Sequence, residues 1–461
     1  MSNKKISTFL FLFCLVSCGL NHDSNNDKTL DRIINHYDLR PLKVRKFEED
    51  PKYELGKMLF FDLILSGNRD TSCATCHLMS EGTSDGLKLS IGTNAKGISS
   101  SRVLDDNLEI EHPRNSLDLW NRDHNSVKSL FWDGRVEFID PENRKFKTHF
   151  PGELPKGLEN TMAVQAIFPF LREDEMLGRK GNISKPNIGK FHSNLLNEFN
   201  KDEEYESEKE RIDSIYTALI NRLIGKDRIE FWQSEYRQLF KKAYPDISFK
   251  NINITHVANS LSHFQELAFA TRYSRWDEYL KGNKKIISAE EKKGAILFYG
   301  KGKCASCHIG PLFSDFNFHS LGIPDYGPGF NKSKTDLGRF YVTKNPNDKY
   351  RFRTSPLRNV TKTAPYFHNG YIDNLFDAIH HHNNPDQFKD EYNEDGSFKM
   401  NKGQIDSISR ILINSPKLSD DEIYKIISFL QTLDFDFSEA LLKKIVPEEV
   451  PSKLPIHAFS N

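Results

Sequence analysis

The sequence predicts a mainly α-helical protein built from two similar lobes, and three observations lead to this expectation. The chain has 461 residues, whereas a single hydrophobic core rarely grows beyond about 250–300 residues. A sequence pattern typical of a helix occurs twice, from Tyr53 to Phe61 and from Glu290 to Tyr299. Each copy contains a glycine and ends in bulky apolar residues. Apolar residues also recur at helical spacing over 254–267 and 419–433, and Ser419 is followed by the acidic residues typical of a helix start.

The charge balance of the chain argues against nucleic acid as a partner. There are 64 Lys and Arg residues and 64 Asp and Glu residues, so the formal net charge is zero. No run of Lys and Arg forms the basic stripe that phosphate binding requires. We therefore expect no nucleic acid partner.

The first 18 residues have the features of an export signal. Lys4 and Lys5 precede an apolar run over 6–16, which is too short to span a bilayer but has the length of a signal-peptide core. The run ends in a Leu-Val-Ser-Cys sequence that resembles the cleavage site of bacterial lipoproteins, in which Cys18 would carry the lipid. An ordinary signal peptide with an incidental cysteine is the alternative. We expect a periplasmic lipoprotein held to a membrane through Cys18, with residues 19–46 as a tether.

The remaining cysteines form two Cys-x-x-Cys-His segments. One runs from Cys73 to His77 and the other from Cys304 to His308. This is the attachment pattern of c-type haem, in which two thiols reach the two vinyl groups of one porphyrin and the adjoining imidazole lies beneath the iron. The expected attachment residues are Cys73, Cys76, Cys304 and Cys307, with His77 and His308 as iron ligands.

Other uses of paired cysteines remain open at this point. A four-cysteine zinc site, a thioredoxin-like redox pair and disulfides are chemically reasonable in an exported protein, but none of them predicts the histidine at the fifth position. We therefore expect two covalently bound haem c groups in a mainly α-helical fold of two cytochrome c-like haem domains packed against each other. The expected domains are 47–275 and 276–437, followed by a tail at 438–461.

Several further short sequence motifs, taken together, identify the chain as similar to a known family. They occur in the family's order between about residues 50 and 435, and each is weak alone. The chain resembles the di-haem cytochrome c peroxidases and MauG-like proteins in Arg114-Asn115-Ser116, Phe131-Trp132-Asp133-Gly134-Arg135, Gln165-Ala166-Ile167-Phe168-Pro169, Glu175-Met176-Leu177-Gly178 and the segment from Phe352 to Gly370. The resemblance implies that the N-terminal haem reacts with hydrogen peroxide and that the C-terminal haem relays electrons.

The resemblance also assigns roles to individual side chains. Glu175 matches the family's acid–base residue, which moves a proton between the oxygens of peroxide. Gln165 and Pro169 match residues of the same distal pocket, and Phe131 matches its aromatic wall. Trp132 matches the tryptophan between the haems, although any tryptophan can serve core packing alone.

A calcium ion and several partners are implied in the same way. Asn115, Thr363 and Pro365 match positions that hold calcium between the domains through oxygen ligands. The expected electron donor is a small c-type cytochrome or copper protein. Family members often dimerise, so a homodimer is among the expectations.

One departure from the family concerns the peroxide site. In many members a histidine in the loop after the first haem closes this site until the partner haem is reduced, but here the loop 89–93 has Thr93 at that position. Threonine is a poor iron ligand, so we expect an open haem that is five-coordinate or water-bound. His112 is the alternative closing ligand.

The second departure concerns the sixth ligand of the relay haem, which is commonly methionine or tyrosine in the family and matches His382 here. Helical spacing supports this choice, because Leu375, Ala378, Ile379 and His382 form one apolar face of a predicted helix. His380 and His381 are expected to point away from that face. Met400 as the ligand and a solvated histidine triplet are the alternatives. A bis-histidine haem should have a lowered potential, which keeps a MauG-like oxidation of Trp or Tyr side chains in a partner protein as a second function. A pure electron carrier is the third.

Overall fold

The computed structural model describes residues 25–459 apart from 44, 106–107, 109–111, 141–144, 184–191, 193–194, 202–203, 226–228, 272, 331–332 and 394–398. The expected signal peptide and the lipidation site Cys18 lie outside the described residues. Within the described part of the chain, none of the helices has the length and apolar character needed to cross a bilayer.

The described residues are mainly helical, with three small antiparallel sheets. The helices are α1 (25–36), α2 (Pro51–Phe61), α3 (Cys73–Cys76), α4 (Thr161–Ala166), α5 (Glu208–Ile224), α6 (Phe231–Ala243), α7 (Ile254–Ala268), α8 (Arg275–Leu280), α9 (Ala289–Tyr299), α10 (Phe340–Thr343), α11 (Leu375–Asn383), α12 (Lys402–Ser407), α13 (Arg410–Ile413), α14 (Asp420–Leu430) and α15 (Glu439–Ile445). The strands are β1 (Ala95–Lys96), β2 (Val103–Leu104), β3 (Ser129–Leu130), β4 (Val136–Asp140), β5 (Lys145–Thr148), β6 (Phe318–His319) and β7 (Phe352–Arg353), paired as β1-β2, β3-β4-β5 and β6-β7.

Side-chain caps explain where the principal helices begin. Asp50 accepts hydrogen bonds from the first backbone amides of α2, and a proline occupies the first position of that helix. Ser288 starts α9 and Ser419 starts α14, each in a reciprocal capping box with a glutamate three residues later. The helices predicted over 254–267 and 419–433 are confirmed as α7 and as α14 with its short 3₁₀ extension.

The internal duplication is visible in the packing of one helix pair per lobe. A Cβ atom on Gly56 of α2 would overlap the carbonyl oxygen of Ser260 in α7. A Cβ atom on Gly294 of α9 would likewise overlap the carbonyl oxygen of Lys425 in α14. In both lobes, therefore, a glycine allows a second helix to approach the helix that leads to the Cys-x-x-Cys-His segment.

Two hydrophobic cores correspond to the two lobes. The first contains residues of α2, α4, α5, α6 and α7, among them the fully buried Phe60, Tyr236 and Phe264. The second contains residues of α8, α9 and α14, among them Trp276 and Phe429. The expected fold class, mainly α-helical with two packed domains, is confirmed.

The segment expected to be a tether is in part a component of the second lobe, which corrects that expectation. Residues 25–36 form α1, and Leu30 and Leu39 are buried in the second core. Asp27 of α1 forms an ion pair with the buried Lys292 of α9 at 3.0 Å. An apolar face within this polar segment explains its docking, because each buried leucine stabilises the packed state by about 1.5–3 kcal/mol.

The segment expected to be a tail packs on the first lobe. The N-terminal helix α1 therefore packs on the second lobe and the C-terminal segment on the first. Ile445, Val450 and Leu454 belong to the first core. Ser452 hydrogen-bonds to the fully buried carboxylate of Asp62 through its backbone amide at 3.2 Å and through its hydroxyl. His457 lies 2.8 Å from the hydroxyl of Thr75, in the first Cys-x-x-Cys segment. The C-terminal segment therefore helps to hold the first haem motif.

The lobes meet at a buried set of charges. The guanidinium of Arg114 bonds to Asp133 of the first lobe at 2.8 Å and to Asp336 of the second at 2.7 Å. The backbone amide of Arg353 donates to the carbonyl of Trp132 at 2.8 Å. These contacts fix the turn between β3 and β4 against the second lobe.

Candidate haem sites

The two Cys-x-x-Cys-His segments have similar local structure. Cys73–Cys76 is a single helical turn and Cys304–Ser306 is a 3₁₀ turn. In each, the amide of the histidine donates to the carbonyl of the first cysteine, at 3.1 Å for His77 and at 2.9 Å for His308. Two thiols and one imidazole are therefore presented from one turn, as thioether attachment and iron ligation require.

The competing uses of the cysteines do not fit this arrangement. All four described thiols are free. Among the described residues, the one group of three side chains able to hold a metal ion combines Cys307 with Asp315 and His319, all from the second lobe. The two cysteine pairs are thus not assembled into a zinc site.

Each proximal histidine has a partner that orients its ring. Nδ1 of His77 lies 3.0 Å from the carbonyl oxygen of Thr83, and Nδ1 of His308 lies 3.0 Å from that of Phe313. Because a carbonyl only accepts, Nδ1 carries the proton and Nε2 is left as the ligand atom. Burial lowers the pKa of His77, and burial together with the neighbouring His382 lowers the pKa of His308 to about 4. Both rings are therefore neutral at pH 7, the form that binds iron.

Each motif opens on its own cavity. The first cavity spans about 1340 Å³ of space free of protein atoms, part of which is open to solvent, and it is lined by both thiols and the histidine of the first motif. The second cavity spans about 1910 Å³, also partly open to solvent, and is lined in the same way by the second motif. The shared pattern of two thiols and one imidazole at a large cavity fits a covalently attached haem in each lobe.

The residues expected at the peroxide site all line the first cavity. Gln165 lies in α4, Pro169 begins the 3₁₀ turn after it, and Glu175 lies in a π-helical turn. Phe131 and Trp132 lie in the turn between β3 and β4. All five side chains border the cavity that His77 borders, so the structure brings together residues that are far apart in sequence.

Glu175 is held between two cationic partners. Its Oε1 lies 3.0 Å from Nε of Arg172 and 3.5 Å from Nε2 of His112. Burial alone would raise the pKa of Glu175, but the hydrogen bond from His112 and the charge of Arg172 outweigh burial and hold this pKa below its ordinary value. Burial opposes the charge on His112, yet the bond to Glu175 raises the pKa of His112. The pair therefore consists of a carboxylate and an imidazolium at mildly acidic pH.

The loop 89–93, which has Thr93 at the position matched to the closing histidine, is hydrogen-bonded to the backbone around Glu175. The hydroxyl of Thr93 donates to the carbonyl of Glu173 at 2.7 Å, and its amide donates to the carbonyl of Glu175 at 3.1 Å. A Cβ atom on Gly92 would overlap the same backbone. His112 lines the cavity, but its Nδ1 lies 2.7 Å from the carbonyl of Arg114 and its Nε2 faces Glu175. Both nitrogens of His112 thus have protein partners.

His382 lies opposite His308 in the second cavity. The two ring centroids are 6.4 Å apart, a separation that accommodates two metal–imidazole bonds of about 2.0–2.1 Å plus the two ring radii. Nδ1 of His382 lies 2.8 Å from the carbonyl of Ala378, which leaves Nε2 as the ligand atom. The residues present therefore fit a haem with an imidazole on each face.

The other candidates near this ligand position lie outside the second cavity. His381 is buried, donates from Nε2 to the carbonyl of Leu321 at 2.7 Å, and accepts from Gln387 at 3.0 Å. The alternative of a solvated histidine triplet is therefore wrong for His381, and His382 is half-buried and lines the second cavity. Met400 is buried and does not line the second cavity.

The three residues matched to calcium binding also line the second cavity. They are Asn115, Thr363 and Pro365. The side-chain amide of Asn115 donates to the carbonyl of Leu87 at 2.7 Å, and its backbone carbonyl accepts from the indole of Trp132 at 2.9 Å. The side-chain oxygen of Asn115 and the backbone oxygens of the other two are of the type that calcium binds.

Trp132 belongs to the wall between the two cavities. It lines both of them. Its indole is fixed by the bond to Asn115, and its carbonyl accepts from Arg353. A polarisable ring thus lies between the two candidate haem sites.

Sequence reasoning missed several residues of these sites. The role of Arg172 could have been found, because it lies three positions before Glu175 and a pair at that spacing meets on one helical face. The pairing of His112 with Glu175 and the contact of His457 with the first motif could not have been predicted, because the partners are far apart in sequence.

The comparisons with known proteins agree with this geometry. The family model described as di-haem cytochrome c peroxidase matches residues 50–285. The chain is 30% identical over 327 residues to the cytochrome c551 peroxidase of Pseudomonas aeruginosa, covering 71% of this chain and 70% of that protein. It is 26% identical over 389 residues to the methylamine utilization protein MauG of Methylophilus methylotrophus, covering 83% and 82%.

A solved structure extends the likeness to the fold. The crystal structure of a MauG-like protein associated with microbial copper homeostasis aligns with a TM-score of 0.56 at 22% identity, covering 89% of this chain and 97% of that chain. The family model spans more than half of the residues, including the first Cys-x-x-Cys-His segment and the residues around Glu175. The chain therefore belongs to the di-haem cytochrome c peroxidase family.

Proposed function

We propose that the protein is a peroxidase that reduces hydrogen peroxide to water with electrons from a small periplasmic cytochrome c or copper protein. The observation that carries this proposal is the position of Glu175, whose carboxylate lines the cavity of His77, Cys73 and Cys76 and is held ionised by His112 and Arg172. Haem bound at His77 would supply the redox-active iron. The reaction consumes one peroxide, two protons and two electrons and releases two water molecules.

The chain's own residues would manage the proton and the access of water. Glu175 can accept a proton from one oxygen of peroxide and return it to the oxygen that leaves as water. Gln165 can orient the peroxide by hydrogen bonding from α4, while Phe131 and Pro169 exclude bulk water from the cavity. The proposal includes an open first site, supported by Thr93 pointing its hydroxyl at the backbone of Glu173.

The second lobe would relay electrons to the first. We propose that His308 and His382 hold the relay haem and that Trp132 assists transfer across the shared wall. We further propose a calcium ion at Asn115, Thr363 and Pro365, where it would tie the two lobes together. Export to the periplasm, a lipid anchor at Cys18 and a homodimer complete the proposal.

Steady-state turnover of the purified holoprotein tests this function. Reduced small cytochrome c or cupredoxin is mixed with the protein, and its oxidation is followed after peroxide is added. We expect donor oxidation at two electrons per peroxide. A variant with Cys73→Ser and Cys76→Ser should lose turnover while its second haem still accepts electrons. Turnover that persists in this variant would contradict the assignment of the peroxide site.

A second candidate function is the oxidation of Trp or Tyr side chains in a partner protein. His382 favours it, because an imidazole in place of a thioether lowers the potential and makes it easier to hold oxidising equivalents on both haem sites. The likeness to a MauG protein is consistent with it. Slow turnover with every soluble donor, together with peroxide-dependent mass changes in a partner protein, would favour this function over the first.

A further inference from the structure

Arg353 is a buried cation without a carboxylate partner among the described residues. Its residue is 2% exposed. Its Nε donates to the carbonyl of Phe131 at 3.0 Å, but its Nη1 has no hydrogen-bond partner in the described part of the chain. Three other buried arginines, Arg114, Arg222 and Arg358, each bond to a carboxylate.

Arg122 is a second buried cation, and only some of its N–H groups have hydrogen-bond partners among the described residues. It is 5% exposed and bonds to Asp118 through Nε and Nη2, while its Nη1 has no partner within the described residues. Burial, and then the charge of Arg122, lower the pKa of Arg353 to about 9. A buried guanidinium that lacks a counter-ion costs several kcal/mol, so this region is short of negative charge.

The location of the two arginines indicates which anion is missing. Arg353 lines both cavities, and Arg122 lines the first. Each haem carries two propionate carboxylates, and guanidinium binds carboxylate through paired hydrogen bonds. We propose that Arg353 is a shared propionate-binding residue for both haems and that Arg122 binds a propionate of the first haem alone.

The proposal has an electrical consequence. A fixed cation near a haem favours the reduced state, because reduction removes one positive charge from the site. Arg353 therefore raises both reduction potentials, whereas Arg122 raises the first. Arg353 is also bonded to the carbonyls of Phe131 and Trp132, so the same residue sets the charge and the position of the wall between the cavities.

Spectroelectrochemical titration of the holoprotein tests this inference without reference to peroxidase activity. In Arg353→Gln we expect both haem potentials to fall and the propionate bending band in the resonance Raman spectrum to shift. In Arg353→Lys, which keeps the charge, we expect potentials close to those of the unmodified protein. Arg122→Gln should lower the potential of the first haem only. The matched control is Arg222→Gln, a buried arginine paired with Glu198, which should change neither readout.

Three results would overturn the inference. The first is an Arg353→Gln protein with unchanged potentials and an unchanged propionate band. The second is a shift confined to one haem, which would contradict the shared role. The third is an Arg353→Lys protein that behaves like Arg353→Gln, which would assign the effect to the lost hydrogen bond with the carbonyl of Phe131 and not to charge. Because covalently attached haem stays on an unfolded chain, the spin state of each haem, and not the haem content, reports whether each variant folds.

Discussion

Replacing His112 by glutamine should move the acid limb of the peroxide reaction to higher pH. Glutamine keeps an N–H donor for Glu175 but removes the imidazolium charge that lies 3.5 Å from Oε1. Without that charge the pKa of Glu175 rises, so the carboxylate becomes protonated at a higher pH. The peroxide reaction needs the carboxylate, and its rate should therefore begin to fall earlier as pH decreases.

The size of the shift follows from the charge separation. Two unit charges about 4 Å apart interact by about 4 kcal/mol at an effective dielectric constant of 20, and one pKa unit corresponds to about 1.36 kcal/mol, so about 3 units is the limit. Both side chains are about one-fifth exposed and Arg172 remains in place, so we expect a shift of about 1–2 units. The effect is present below the raised pKa of His112 and is lost as pH rises through it, so the two proteins should converge at alkaline pH.

Stopped-flow measurement of the oxidised holoprotein with peroxide between about pH 2.5 and 8 provides the assay, because the pKa of Glu175 is about 2 before the substitution and should be about 3–4 after it. His36→Gln is the control, because His36 is exposed on α1 and lines neither cavity. Superimposable acid limbs for His112→Gln and the unmodified protein would refute the reasoning. A rate lowered equally at every pH would also refute it, since that would assign His112 a packing role.

The remaining predictions concern the acid–base residue, the relay ligand and the helix packing. Glu175→Gln should slow the peroxide reaction by about 10²–10⁴-fold in stopped flow while haem content stays unchanged; a rate within a few-fold of normal would exclude it as the acid–base group. His382→Met should raise the potential of the second haem in a redox titration, and an unchanged potential would mean that another residue ligates the iron. Gly56→Ala should lower the free energy of unfolding by about 1–3 kcal/mol in denaturant titration, because the new methyl group overlaps the carbonyl of Ser260. Equal stability would contradict this close helix contact.

The local features of the sites could be predicted from the sequence. The Cys-x-x-Cys-His segments, the helix preceding each of them and the cap at Ser419 are all encoded by neighbouring residues, so pattern and spacing identify them. His382 illustrates the same point, since its place on the apolar face of α11 is a matter of helical spacing. Its position opposite His308, by contrast, is set by tertiary packing.

Features that depend on contacts between distant segments could not be predicted from pattern. Neither the docking of α1 on the second lobe nor that of the C-terminal segment on the first follows from polar composition, because a few buried leucines and isoleucines decide the outcome. The pairing of His112 with Glu175 likewise arises from chain segments that meet only in the folded protein, and so does the burial of Arg353, whose Nη1 lacks a partner among the described residues.

The central claim is an open peroxide site at His77 served by a bis-histidine relay site, and electron paramagnetic resonance with optical spectroscopy tests it most directly. The fully oxidised holoprotein is measured before and after one equivalent of peroxide. We predict a high-spin haem beside a low-spin bis-histidine haem, with the high-spin signal lost on addition of peroxide. Two low-spin haems that do not respond to peroxide until one is reduced would contradict the account and would mean that a residue other than Thr93 closes the first site.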